Sequence, residues 1–305
     1  MKILVTGGAG FIGSHTTKQL LDGGHKAIVY DNLSRGFKDL VDPRAEFVLG
    51  DVSEKEKLKK ALSGVDAVIH MAAFIIVPES VRKPDLYYQN NVLGTKVLLG
   101  AMEEVNVKKI IFSSSATVYG DPLELPLNEE SEIKKPANPY GQNKLDMERL
   151  CKDFGEKTGS DVIILRYFNP YGPGEKHSPE THAVPNFIKS TLAKQPIPLY
   201  WKGEQIRDFI YVEDLSRAHI AAVTANEYKI YNIGTEVGTK VIDVVNLIFK
   251  IVGYTVPIND LGERAGDVPA LYTSSKKLQK DFGWRPRFSL YEGLKKTIEY
   301  FQTTT

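Results

Sequence analysis

One cysteine, Cys151, stands in 305 residues, so no internal disulfide can form and a small cross-linked extracellular module is excluded. Neither sign of charge is in excess. The 39 Lys and Arg face 38 Asp and Glu, a net of +1, which gives no global field to hold nucleic acid or an anionic membrane. An anionic ligand must therefore be caught by local donors. Long hydrophobic runs are missing as well: the longest apolar stretch, 65–77, is broken by Asp66 and His70 and is shorter than the roughly 18 residues that cross a bilayer. The amino terminus reaches Gly7 after one lysine and a short apolar run, without the cleavage signature of a secretory leader. A reduced, cytoplasmic setting is expected. Metal-ligand spacing is also absent. His177 and His182 have no carboxylate or cysteine partner at ligand spacing, so both are read as exposed loop residues and no metal is expected.

What is present is a globular composition, 42% hydrophobic and 25% charged, with chain enough for about two domains at roughly 100 to 200 residues each. The first half alternates apolar strands with helical periodicity. Strands are predicted at 2–6, 27–30, 47–49, 67–70, 109–113 and 162–167, and helices at 53–62, 84–105 and 139–157. Strands that are apolar along their whole length belong to a parallel sheet covered on both faces, which gives an α/β, doubly wound architecture. After Phe168 the sequence becomes rich in proline and glycine, and the domain change is placed there. The segments 208–212, 213–225 and 229–233 are expected to rejoin the sheet. Residues 1–168 with 208–238 then form one domain, and 169–207 with 239–305 a second, smaller α/β domain.

Between the first strand and the first helix lies Gly7-Gly-Ala-Gly10-Phe11-Ile12-Gly13. Glycines at this spacing allow a sharp turn, a close approach of backbone to a pyrophosphate, and tight packing at the helix start. This marks 1–168 as a Rossmann-type, dinucleotide-binding unit. Asp31 ends the second strand about 20 residues on, where a carboxylate accepts bonds from ribose hydroxyls and repels a 2′-phosphate, so NAD is favoured over NADP. Arg35 is the residue that argues the other way, unless it is simply an exposed loop arginine. Asp51 is open between two roles, contact with the adenine amino group and a solvated helix-start carboxylate.

Tyr140 and Lys144, four apart on a predicted helix, leave it on one face. The preceding strand ends in Ser113-Ser114-Ser115 at the carboxyl edge of the sheet, where ligands bind. A phenol titrates near pH ~10, so a tyrosine acting as a base near neutrality needs a shift of about three units, roughly 4 kcal/mol. Lys144 and an oxidised nicotinamide are the groups expected to supply it. Ser115 is placed to bond the same substrate oxygen.

These motifs, with Ser113 to Gly120, Tyr140-Gly-Gln-Asn-Lys144, Arg166-Tyr-Phe-Asn169, Arg207-Asp208-Phe209, Tyr231-Asn-Ile-Gly234 and Arg264-Ala-Gly-Asp267, resemble the extended short-chain dehydrogenase/reductase family over nearly the whole chain. The resemblance implies an NAD-dependent epimerase that interconverts UDP-glucose and UDP-galactose at C4 through a transient 4-keto sugar, with no net redox change. It implies Tyr140 as base, Lys144 as the group that lowers its pKa and holds the nicotinamide ribose, and Ser115 on the 4-oxygen. NAD would be held by Gly7, Gly10, Phe11, Ile12, Gly13, Asp31, Asn32, Asp51, Val52, Ala72, Ala73, Asn91, Tyr140, Lys144 and Tyr167. The UDP-sugar would be held by Ser115, Tyr140, Asn169, Asn186, Tyr200, Arg207, Arg264 and Asp267, the two arginines matching a diphosphate with their planar donor forks. Homodimers pairing the helices at 84–105 and 139–157 are implied as well.

Related activities leave different signatures. Dehydratases of this family place an Asp-Glu pair after the strand-end hydroxyl, and decarboxylases a Glu at the second of those positions, where this chain has Ala116-Thr117. A non-enzymatic NAD-binding regulator would have little reason to keep Ser115, Tyr140 and Lys144 together. Two positions depart from the epimerase pattern. Ile75 stands where a lysine often reaches the cofactor phosphates, which implies looser NAD retention, and Leu271 stands where residue size admits or excludes an N-acetyl group, leaving UDP-N-acetylglucosamine and UDP-N-acetylgalactosamine as further substrates to test.

Overall fold

A computed structural model describes residues 1–176, 182–263 and 268–304. The run Lys-Ile-Leu-Val-Thr forms β1 (Lys2–Thr6), four of its five residues buried, and the glycine turn leads into α1 (Phe11–Asp22). There follow β2 (Lys26–Asp31), β3 (Glu46–Leu49), α2 (Lys55–Ala61), β4 (Ala67–His70) and a short helix absent from the sequence reading, α3 (Val77–Arg82). The helix expected at 84–105 is interrupted. It runs as α4 (Pro84–Tyr87), a π-helical stretch at Tyr88–Leu93, and α5 (Gly94–Glu104). After it come β5 (Lys109–Ser115), α6 (Pro139–Thr158) and β6 (Asp161–Tyr167).

Beyond Phe168 the chain makes β7 (Asn169–Tyr171), α7 (Ala183–Leu192), β8 (Ile197–Leu199), β9 (Ile206–Arg207), β10 (Phe209–Tyr211), α8 (Val212–Ala222) and β11 (Tyr228–Ile233). It closes with β12 (Thr239–Lys240), α9 (Val241–Val252), β13 (Ile258–Asp260), β14 (Ala270–Leu271), α10 (Lys276–Phe282) and α11 (Leu290–Thr304). The main sheet has seven parallel strands in the order β11-β6-β5-β4-β1-β2-β3. One expectation fails here. The strand near 208–212 does not rejoin this sheet, because β11 pairs with β6 along six residues and occupies that edge, and β10 pairs instead with β7 in a two-stranded sheet.

Burial on both faces explains why the strands carry no polar alternation. On one face Leu4, Val68, Ile110 and Phe112 pack with Leu58 of α2, Met102 of α5 and Met147 of α6; on the other, Ile3, Val5, Ile69 and Ile111 pack with Leu20 of α1 and Leu215 of α8. A third apolar core joins Phe187 and Ile188 of α7 to Val244 and Ile248 of α9 and Leu294 and Ile298 of α11. The buried Asp208 carboxylate knits this part to the sheet: it accepts bonds from Thr235 N and Oγ1 at 2.6 and 2.7 Å and from Glu236 N at 3.1 Å.

Candidate active site

A cavity of about 640 Å³ opens at the carboxyl edge of the main sheet and runs on toward α7, β8 and β9. Gly7, Gly10 and Gly13 line one end. Gly7 has φ +72°, and a Cβ there would lie 2.7 Å from Ala72 N; at Gly13 a Cβ would lie 2.2 Å from Gly7 O. Only glycine fits. The turn thus brings bare backbone and the amino end of α1, which has no acidic residue in its first turn, onto the cavity. Such a cradle suits a dinucleotide diphosphate, and Phe11, Ile12, Val52, Ala72 and Ala73 line the same wall.

Asp31 is buried and lines the cavity, with Oδ1 accepting from Leu33 N at 2.8 Å and Oδ2 from Ala9 N at 3.1 Å. Burial raises its pKa, and those two bonds oppose the rise. Asn32, also on the cavity, donates to Asp51 Oδ2 at 2.6 Å. Asp51 itself is not on the cavity wall. Its Oδ1 accepts from Ser53 N at 2.8 Å, so its bonds are those of a residue stabilising the start of the next helix. Arg35 pairs with Glu79 at 2.6 Å and lies 5.1 Å over the Phe74 ring, so its charge is already matched. Asn91 is fully buried behind the wall, where its side chain accepts from Phe74 N at 2.8 Å and donates to Phe74 O at 3.0 Å. It shapes the loop carrying Ala73 and Ile75.

At the centre of the cavity α6 starts abruptly. Asn138 caps it, accepting from Gly141 N at 2.9 Å, and Pro139 occupies the first turn, which sets Tyr140 at the mouth and Lys144 one turn further in. The Tyr140 hydroxyl bonds the Ser115 side chain. Lys144 Nζ donates to Ser113 O at 2.6 Å and lies 5.9 Å from the Tyr140 ring centroid. Burial dominates both titrations: it pushes the Tyr140 phenol up to about 12, against the bond to Ser115, and brings the Lys144 ammonium down to about 7. In the ligand-free protein burial is the larger influence on the phenol. Lys144 is held by a carbonyl on a neighbouring strand end, and its own charge is weakened by burial.

Two buried networks fix these groups, and neither was foreseen. Ser114, pointing to the face opposite Ser115, donates to Glu148, whose carboxylate is gripped by Arg166 through Nε at 2.9 Å and Nη2 at 2.7 Å. Arg166 also donates to the Tyr119 hydroxyl at 2.9 Å. On the other face Tyr167, which lines the cavity, bonds both the Ser113 side chain and His219 Nε2. His219 Nδ1 donates to Leu215 O at 3.0 Å, so Nε2 is the acceptor for Tyr167.

Asn169, Asn186, Tyr200 and Arg207 line the far end. Arg207 is buried and oriented by donation to Ile206 O at 2.7 Å and Val268 O at 2.8 Å. Arg264, Asp267 and His177 lie outside the described residues. His182 is exposed, as the sequence reading expects, but it does have a carboxylate partner: it lines the cavity, and its Nδ1 pairs with the fully buried Glu175, seven residues earlier. The Glu175 carboxylate raises the pKa of that imidazole. Among the described residues no group of three or more His, Cys, Asp or Glu is placed to hold a metal.

A doubly wound sheet with a glycine-turn cradle at its carboxyl edge, opening onto a Ser-Tyr-Lys cluster, defines a dinucleotide-dependent enzyme of hydroxyl or carbonyl carbon chemistry. The chain matches the NAD dependent epimerase/dehydratase family over residues 3–234 and belongs to it. It is 39% identical over 98% of its length to a UDP-glucose 4-epimerase of Lacticaseibacillus casei, covering 95% of that protein. Among solved structures it is similar to the UDP-glucose 4-epimerase of Thermotoga maritima with UDP-glucose, at a TM-score of 0.95, 37% identity and coverage of 100% of this chain and 99% of that one. A UDP-N-acetylglucosamine 4-epimerase of Methanobrevibacter ruminantium is similar at a TM-score of 0.94 and 32% identity, with 100% and 99% coverage.

Proposed function

We propose that the chain is an NAD-dependent 4-epimerase that interconverts UDP-glucose and UDP-galactose through a 4-keto sugar. The observation that carries this reading is the position of Ser115, Tyr140 and Lys144 midway along one cavity, between the glycine cradle and the end lined by Asn169, Asn186, Tyr200 and Arg207. NAD bound at the cradle would supply the hydride acceptor and, oxidised, a positive charge beside the phenol. Tyr140 takes the proton of the sugar 4-hydroxyl and later returns it, while Ser115 holds the 4-oxygen in place. Burial holds the phenol above its ordinary value, so the positive charge of bound oxidised NAD, with the Lys144 ammonium, is what would bring it down to act near neutrality. Arg207 anchors the diphosphate, and Arg264 and Asp267 serve the same nucleotide. With the nucleotide held and the sugar loosely held, the ring can present either face to the hydride acceptor.

Residue chemistry separates this reading from the family's eliminations. Dehydration needs a general acid beside the sugar, but Thr117 Oγ1 donates to Ser115 Oγ at 3.0 Å and brings no carboxylate. The protein is expected to act in the cytoplasm as a homodimer. Conversion of UDP-galactose by the NAD-loaded enzyme, followed by NMR without reductant, tests the activity. Accumulation of UDP-glucose is expected; a deoxygenated or decarboxylated product, or no turnover, overturns it. The same assay on the N-acetylated pair reads whether Leu271, packed with Ala116, Phe168 and Val268 at the cavity, leaves room for the larger sugar.

A further inference from the structure

Arg35 stands where an arginine favours the other cofactor, and the fold turns its charge elsewhere. Its chain runs beside the Asp31 carboxylate: a Cβ on the next residue, Gly36, would lie 2.8 Å from Asp31 Oδ1. Arg35 also lines the cavity. An arginine near the acid that ends the second strand is the residue type that accommodates a 2′-phosphate on the adenosine ribose. A free guanidinium here would invite NADP.

It is not free. Among the described residues its acidic partner is Glu79 of α3, met by Nη2 at 2.6 Å, and not the neighbouring Asp31. The guanidinium lies 5.1 Å over the centre of the Phe74 ring, which sets its plane as well as its charge. Since β2 and β4 flank β1 in the sheet, the pair ties together the segments that leave the strands on either side of the glycine turn.

Glu79 is itself held in place. Its side chain is only 12% exposed, and the oxygen that takes Arg35 lies 3.0 Å from the Tyr87 hydroxyl. That hydroxyl accepts from Ile76 N at 3.0 Å, which fixes it against the backbone of the loop after β4. Lys83 approaches the other carboxylate oxygen at 3.5 Å. Burial raises the Glu79 carboxyl, but the bonds from Arg35 and Tyr87 outweigh it and hold the pKa below the ordinary value. The pair is therefore charged at neutral pH. Before Arg35 can grip a phosphate, a charge-assisted bond to a well-anchored carboxylate has to break.

Resting on the NAD reading above, we propose that Glu79 is a cofactor-specificity residue: by occupying Arg35 it denies a 2′-phosphate its counter-charge. Its effect adds to the repulsion from Asp31. Discrimination of this kind works by withholding a contact from the wrong ligand, not by making one with the right ligand.

Fluorescence titration of the full-length enzyme, freed of bound nucleotide, with NAD and with NADP tests this. Substitution of Asp31→Ser first removes the direct repulsion, so that both affinities can be read. Adding Glu79→Gln, or Glu79→Ala where the carboxamide still holds the guanidinium, should shift the ratio of affinities toward NADP by roughly tenfold. Because the ratio is taken within one protein, any loosening of the loop weakens both dinucleotides and cancels. A further Arg35→Leu should erase the gain. A ratio unmoved by both Glu79 substitutions overturns the assignment, and so does a gain that survives Arg35→Leu, which would mean that Glu79 repels the phosphate by its own charge. If wild type binds neither dinucleotide, the cofactor reading is lost and the assignment with it; normal NAD binding with an unmoved ratio sinks the assignment alone.

Discussion

Tyr140 and Lys144 sit one helical turn apart, yet burial moves them apart on the pH scale, the phenol up to about 12 and the ammonium down to about 7. Tyr140→Phe removes the proton acceptor and little else, so kcat should fall about 10²- to 10⁴-fold while KM for the UDP-sugar stays within a few-fold; near-normal turnover in steady-state kinetics would refute the assignment. Lys144 gives a prediction about stability. Below pH 7 the folded protein carries the whole cost of a buried ammonium. As pH rises from about 7 toward 10.5, the folded state has already lost that proton and the unfolded state still holds it, so the cost fades. Lys144→Met should therefore raise the urea midpoint of the ligand-free protein most at pH 6, with the gain shrinking by pH 10. A gain independent of pH would mean that Lys144 titrates normally. The Tyr-x-x-x-Lys spacing and the serine strand end were readable because their geometry is local. Glu148 with Arg166 and Glu175 with His182 were not, because their meaning comes from contacts that only the folded chain brings together.

At the scale of elements, the strands of the main sheet were legible because each is short, rich in apolar and β-branched residues and bounded by turns. The interruption of the helix at 84–105 was not, since a π-helical stretch leaves no signature in apolar periodicity. It has a visible consequence: Asn91 lies within Tyr88–Leu93, and its carboxamide closes both the N–H and the C=O of Phe74 in the loop after β4. That loop carries Ala73 and Ile75 on the proposed cofactor wall. Asn91→Leu leaves two backbone groups unpaired, at about 1 to 3 kcal/mol each, and frees the loop. The unfolding free energy should drop by about 2 to 6 kcal/mol, and NAD affinity, followed by fluorescence titration, should weaken about tenfold. Unchanged NAD affinity in a destabilised protein would confine Asn91 to a role in folding. The misplacement of the strand near 208–212 has a similar origin, for sequence shows that a segment is extended but not which edge is already taken.

For the whole molecule, a net charge of +1 is consistent with ligands that carry two diphosphates, provided the donors are local: amides at the start of α1 at one end of the cavity and Arg207 at the other. The outer surface poses the remaining question, that of assembly. Along α3, α4 and the π-helical stretch, which pack beside α6, Val81, Leu86 and Tyr88 are exposed at 60%, 43% and 44%. Exposed apolar side chains along consecutive helical segments are what a helix-to-helix contact between two copies would cover. A homodimer formed through the helices at 84–105 and 139–157 predicts that light scattering finds about twice the chain mass. Leu86→Glu places a charge at the centre of that face and should shift the mass toward the monomer at micromolar concentration, more strongly at low salt, where the facing carboxylates repel each other over a longer range. Because Gly7, Gly10, Gly13 and Asp31, proposed to hold NAD, line the cavity of the single chain, the monomer should keep its NAD affinity. A wild-type monomer, or a Leu86→Glu protein that stays dimeric, would put the contact elsewhere or remove it.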